Sequence, residues 1–233
     1  MHRVPLCISR LVPTAVVFAV GLLAGSALAA VPYSEDWSAG NTNGWIQSTT
    51  SSTVVRDAGI GNPAGSLAIR RDLTPPIFPT GATTELPAAS GDYTGQPAWM
   101  VSFDVFYDIG NFVDAWLRFR YQDATFNGWY LDVANAFPNS WQSYSAMFDP
   151  SWTDAQAAAN GWVDETGGTV SWQQLMTNVF HPEVRLIEGD DFSAIAYLDN
   201  FVLKSVVPEP ATTALLLTAV GGLGLVKRRV RRS

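Results

Sequence analysis

Cysteine is almost missing from this 233-residue chain: the one thiol is Cys7, ahead of the first apolar run. That position excludes a lipid-bearing cysteine at a leader cleavage site, and a chain exported without its leader would hold no disulfide. Such a domain relies on its core, or on a bound metal, for stability. Histidine is nearly as scarce, with His2 and His181 alone. Thiol–histidine nucleophile systems are therefore excluded, and a zinc site built on histidine and cysteine has too few ligands. A Ser-His-Asp triad would have to use His181, which sits before Pro182 between an expected helix and an expected strand. Cations are the third shortage. Between residues 31 and 207 there are 7 Lys plus Arg and 20 Asp plus Glu, so that segment carries 7 − 20 = −13. The whole-chain value of −7 hides this, because the ends add +2 and +4. A domain so acidic is repelled by phosphate backbones, which argues against nucleic-acid binding. Neutral glycans, and anionic partners bridged by calcium, stay open.

The cations that do occur are concentrated at the two ends. Arg3 and Arg10 precede an apolar stretch at 11–23, and small residues follow, with Ala27, Ala29 and Ala30 in an Ala-x-Ala arrangement. This is the pattern of a secretory signal peptide, 1–30, cut after Ala29 or Ala30. At the other end, Pro208 and Pro210 flank Glu209 and forbid a regular helix or a central strand. Residues 211–226 then carry no charge, and Lys227, Arg228, Arg229, Arg231 and Arg232 close the chain. A break, an apolar run and a basic stop predict a transmembrane helix with a cytoplasmic tail. Sixteen helical residues span roughly 24 Å, short of a hydrocarbon core of about 30 Å, so the anchor is marginal and suits a segment removed after use. The three-part 206–233 segment resembles the PEP-CTERM protein-sorting signal. The resemblance implies export through the secretory translocon and signal peptidase, transient anchoring in the inner membrane, and processing by an exosortase. Cell surface or extracellular matrix is the implied destination, in bacteria that make exopolysaccharide. Pro208, Glu209 and Pro210 would then be recognition residues for the exosortase.

The intervening 31–205 segment suits one domain with a sizeable core. Residues 99–108 alternate, with Val101, Phe103, Val105 and Tyr107 on one face and Ser102, Asp104 and Asp108 on the other. Leu117, Phe119 and Tyr121 alternate with Trp116, Arg118 and Arg120. Trp129, Leu131 and Val133 alternate with Tyr130 and Asp132. Period-two patterns are what half-buried strands need. Further strands are expected at 65–70, 141–148, 184–188 and 196–203, with connections at 36–45 and at Asn127 and Gly128. Two short helices are expected. One covers 154–160 after Thr153 and ends at Gly161; the other covers 171–180, with Ser171 and Gln174 as a capping box. The fold class is all-β: a single jelly-roll-like antiparallel β-sandwich with two short helices, flanked by a signal helix and a transmembrane helix.

The order of elements over 141–203 carries a second resemblance. A Trp152 segment precedes the helix containing Gln174, Leu175, Met176, Thr177, Asn178 and Val179. The strand with Glu183, Val184, Arg185, Leu186, Ile187 and Glu188 follows, and Tyr197, Leu198, Asp199, Asn200, Phe201, Val202 and Leu203 close the domain. This resembles the laminin domain IV (laminin B) module, itself similar to galactose-binding-like jelly rolls. The resemblance implies an extracellular sandwich of matrix or adhesion proteins without an enzymatic role. It also implies structural calcium near the first and last strands, for which Glu35, Asp36 and Asp199 are the candidates and Asp190 with Asp191 an outside pair; no EF-hand spacing is present.

Trp116, Arg118, Arg120 and Tyr130 form the candidate ligand face. An aromatic ring offers a flat apolar platform, and a neighbouring arginine donates to sugar hydroxyls or carboxylates. The competing expectation is that these residues are core, since a one-residue slip reverses a strand's faces. The sequence reading is thus an exported, exosortase-sorted surface or matrix protein with a structural or adhesive sandwich that takes extracellular polysaccharide. The alternatives are a secreted glycan-active hydrolase, for which 20 acidic residues supply no obvious pair, and a purely structural matrix component.

Overall fold

The computed structural model describes residues 29–61, 64–71, 73, 79–121, 127–135, 139–189 and 192–206. The sorting motif, the apolar 211–226 segment, the basic stop, Ala27, Asp190 and Asp191 lie outside the described residues. In chain order the elements are β1 (Tyr33–Glu35), β2 (Trp45–Gln47), β3 (Ser52–Asp57), β4 (Ser66–Arg71), β5 (Thr80–Thr84), β6 (Trp99–Ile109) and β7 (Phe112–Tyr121). They continue as β8 (Gly128–Asn135), β9 (Trp141–Phe148), α1 (Asp154–Ala159), β10 (Trp162–Asp164), α2 (Trp172–Met176), β11 (Val179–Glu188) and β12 (Ile195–Ser205). All strand pairings are antiparallel. The first sheet runs β3-β4-β12-β6-β9, with β1 also paired to β12; the second runs β10-β8-β7-β11-β5-β2.

The long strands follow their alternation. In β6, Val101, Phe103, Val105 and Tyr107 are buried while their neighbours are half-buried or exposed. Leu117 and Phe119 of β7 face the same interior from the second sheet. Between the sheets lies an aromatic core. Trp37, Trp45, Trp99, Trp162 and Trp172 are all fully buried, and Phe119 stacks on Trp162 with centroids 5.4 Å apart and planes 15° apart. Each such side chain contributes about 1.5–3 kcal/mol through burial, which suits a domain held together without disulfides.

Both helices close one end of this core, and their starts are chemically specified. Thr153 accepts from the Gln156 amide while Gln156 accepts from the Thr153 amide, a reciprocal capping box. Ser171 accepts from the Gln174 amide at the start of α2. The second helix is shorter than its sequence suggests. It stops at Met176, and Val179 and Phe180 already belong to β11. Leu175 and Val179 are both buried, but from two different elements. Pro182 therefore lies inside a strand. A register shift between Val179 and His181 precedes it, and pairing with β5 begins at Glu183, so its missing N–H interrupts little of the ladder. Gly128, expected in a turn with Asn127, opens β8 instead.

Candidate functional site

The outer face of the second sheet follows from the same alternation. Because Leu117, Phe119, Val184 and Leu186 point inward, Trp116, Arg118 and Arg120 of β7 and His181, Glu183 and Arg185 of β11 share the opposite face. Tyr130 of β8 joins them, as the register partner of Arg118. Successive pairings then make rows across the sheet. One passes through Val163, Tyr130, Arg118, Glu183, Thr83 and Ile46. Another passes through Asp132, Trp116, Arg185 and Gly81. All four residues of the expected ligand face are thus on one surface.

Trp116 and Tyr130 are half-buried and stacked, with centroids 4.1 Å apart and planes 20° apart. Beside them is a charge network centred on Glu183, which has no exposure to solvent. Arg118 donates from Nη1 to Glu183 Oε2 at 2.9 Å and from Nε to Glu165 Oε2. Arg185 donates from Nε to Glu183 Oε1 at 2.8 Å. Arg120 lies 3.7 Å from Glu183 Oε2 and donates to the Ser48 carbonyl at 3.3 Å. Burial by itself would raise the Glu183 carboxyl, but Arg185, Arg118 and Arg120 together outweigh burial and hold it below the usual range. His181 goes the same way for a different reason. Burial, reinforced by Arg120, pushes its imidazole down to about 4, so the ring is neutral at pH 7. Arg118 is consumed by two carboxylates, which makes it the floor of the face rather than a free arm.

Several polar atoms on this surface lack a partner. Trp116 Nε1, Ser48 Oγ and both ring nitrogens of His181 are buried without a hydrogen bond. Ser48 Oγ sits over Gly81, 2.6 Å from where a side-chain carbon on that glycine would be. Glycine is therefore the residue that leaves room for Ser48 beside Arg185, the register partner of Gly81 on β11.

The calcium candidates are arranged otherwise. Glu35 uses Oε1 to accept from the Trp37 amide at 2.7 Å and Oε2 to accept from Asn43 Nδ2 at 2.6 Å. Asp36 is bonded to Ser38, whose amide and hydroxyl hold its carboxyl below the usual range. Both line a cleft of about 390 Å³ with Ser34, Asn43 and Asn200. Asp199 is fully buried, does not line that cleft, and accepts from the Asn200 amide at 2.8 Å. Among the described residues no three His, Cys, Asp or Glu side chains are grouped to hold a metal ion.

Solved structures supply the architecture for comparison. An exo-β-agarase contains a region with TM-score 0.51 and 12% identity, covering 74% of this chain and 24% of the agarase. The likeness is one of fold. A xylan-binding domain of family 22 carbohydrate-binding modules, from Paenibacillus barcinonensis, matches at TM-score 0.47 and 15% identity over 75% of this chain and 93% of its own. A family 11 carbohydrate-binding module from Clostridium thermocellum matches at 0.45 and 14%, over 76% and 98%. No protein-family model matches the chain, and no curated protein matches it. Two antiparallel sheets with two short helices are consistent with a jelly-roll-like sandwich.

The sequence reading missed Glu183, Arg185, Glu165 and His181 as parts of this face. A signal was present: Glu183 and Arg185 alternate with Val184 and Leu186, and two opposite charges on one face of an otherwise apolar strand call for charged partners on the neighbouring strand. His181 is in β11 and buried, not in a helix–strand connection.

Proposed function

We propose that the protein is an exported surface or matrix protein whose sandwich binds extracellular polysaccharide on the outer face of the second sheet. The observation that carries this reading is the stacked, half-buried pair Trp116 and Tyr130 beside Arg185, whose guanidinium makes one hydrogen bond among the described residues. Sugar rings present apolar faces to aromatic rings and hydroxyls to donors, so such a surface is completed by a saccharide. The support is the face itself and not the ligands of the similar modules. A hydrolase is disfavoured at this surface, because Glu183 is fully buried and held ionised by arginines, whereas glycoside hydrolysis needs a protonated acid at its cleft. Binding of the full-length chain to a polysaccharide panel tests the proposal. Trp116→Ala should weaken any bound polysaccharide about ten-fold or more, and Trp141→Ala, on the other sheet, should not. Equal losses from both variants would contradict it.

Sorting belongs to the same proposal and is supported by the sequence alone. The 1–30 leader, the Pro208, Glu209 and Pro210 motif, the apolar 211–226 run and the basic stop resemble the PEP-CTERM arrangement, and the 31–205 domain resembles a laminin B module. In this reading exosortase removes the C-terminal segment, and the sandwich is the working molecule outside the cell. The mass of the protein recovered from the cell exterior decides: a C-terminus near Pro208 fits, and an intact Ser233 does not.

A further inference from the structure

The acidic domain places its few cations unevenly. Of its 7 Lys plus Arg, Arg118, Arg120 and Arg185 meet around Glu183 on the second sheet. Among the described residues the network joins three guanidiniums to two carboxylates, Glu183 and Glu165. These side chains are 4, 13 and 15% exposed for the arginines in that order, so water screens them little.

Arg185 holds the open position. Its guanidinium makes one hydrogen bond among the described residues, from Nε to Glu183, and the terminal nitrogens of such a fork are what a carboxylate receives in bidentate fashion. Its register partner on β7 is Trp116, whose indole N–H is itself without an acceptor. Ser48 Oγ, over Gly81, lies on its other side, and His181 is four residues away along the same strand, opposite Arg120. Guanidinium and indole groups only donate. The unfilled positions around Arg185 therefore lack acceptors more than donors. Asp132 is exposed and stands across Trp116 from Arg185, so an anionic group is repelled from that side and drawn to the arginine side.

Resting on the reading of this face as a polysaccharide site, we infer that its saccharide is acidic: a uronate-type sugar that packs against the stacked Trp116–Tyr130 pair and whose carboxylate is received by Arg185. Neighbouring strands are roughly 4.8 Å apart, so the aromatic platform and the Arg185 fork are separated by about the size of one sugar unit. A neutral sugar satisfies the platform and leaves the fork unfilled. In a domain with a charge of −13 over residues 31–207, the anion is received locally by the Arg185 fork and not by the charge of the domain as a whole.

The test uses matched pairs: polygalacturonate, alginate and glucuronoxylan, each beside its carboxyl-reduced twin, titrated against the full-length chain. At least one acidic polymer should bind about ten-fold or more tightly than its twin, and Arg185→Gln should remove that preference while retaining affinity for the reduced polymer. Equal binding of every pair, or preference for the reduced form, overturns the acidic-sugar inference and leaves the polysaccharide reading standing. No binding of either form overturns both. Thermal melting of Arg185→Gln separates loss of the fork from loss of the fold, and the ligand comparison needs no variant at all.

Discussion

On the outer face of the first sheet, Trp141, Phe106 and Tyr197 form a row across β9, β6 and β12, with ring centroids 5.7 and 6.1 Å apart. On the outer face of the second, Trp116 and Tyr130 stack beside a buried ion network. Aromatic content does not separate the two surfaces. What separates them is the polar company. The first row is flanked by the exposed Ser143 and Ser145 and by the half-buried Ser102 and Asp104, the latter accepting from Asn200 Nδ2, and none of its own polar atoms is buried without a partner. On the second face four polar atoms, on Trp116, Ser48 and His181, are buried and unbonded. The difference is one of degree, since Ser66 Oγ on the outer face of β4 is also buried without a hydrogen bond.

The largest expected difference between the faces lies at Glu183. Its removal strands three guanidiniums in a poorly hydrated place, so Glu183→Ala should destabilise the domain by about 3–5 kcal/mol. Asp108→Ala, exposed at the end of β6, should change stability by less than about 0.5 kcal/mol. Chemical denaturation measures both, and similar values would erase the distinction between the surfaces.

Next comes pH. The His181 imidazole has its pKa near 4 in the fold against an ordinary 6.5, so between those values the unfolded chain binds the extra proton. Stability should therefore fall as pH falls from about 6.5 to 4, by on the order of 3 kcal/mol. The depressed Glu183 carboxyl adds to the acid loss, since its contribution disappears as pH falls through its folded value. Denaturation of wild type and His181→Gln at pH 7 and pH 4.5 checks the histidine share; an unchanged difference between the two pH values would refute it.

The smallest effect concerns Gly81. A methyl there would come within 2.6 Å of Ser48 Oγ and 2.8 Å of the Val184 carbonyl, so Gly81→Ala should cost about 1–3 kcal/mol. Gly95→Ala, with nothing within 4 Å of the new carbon, should cost less. A neutral Gly81→Ala would show that both Ser48 and the β11 backbone at Val184 yield to the new methyl.

The sequence made the long strands legible because each of β6, β7, β8 and β9 carries several turns of strict alternation. It hid the short ones. β1, β2 and β10 are three residues each, too brief for a period to register. β5 reads Thr-Gly-Ala-Thr-Thr and is buried throughout, so it has no apolar stripe to betray it. The start of β11 was masked by Pro182 and by the helical spacing of Leu175 and Val179. For the same reason the ligand face was legible in β7 and β8, where Trp116, Arg118, Arg120 and Tyr130 stand out, and not in β11, whose Glu183 and Arg185 complete it.

The most direct test observes the indole N–H signals of the nine tryptophans by NMR while a bound oligosaccharide is titrated in. The Trp116 signal should move and that of Trp141 should stay, placing the sugar on the second sheet beside the stranded donors. A bound sugar that moves Trp141, or that leaves Trp116 where it was, would contradict the account.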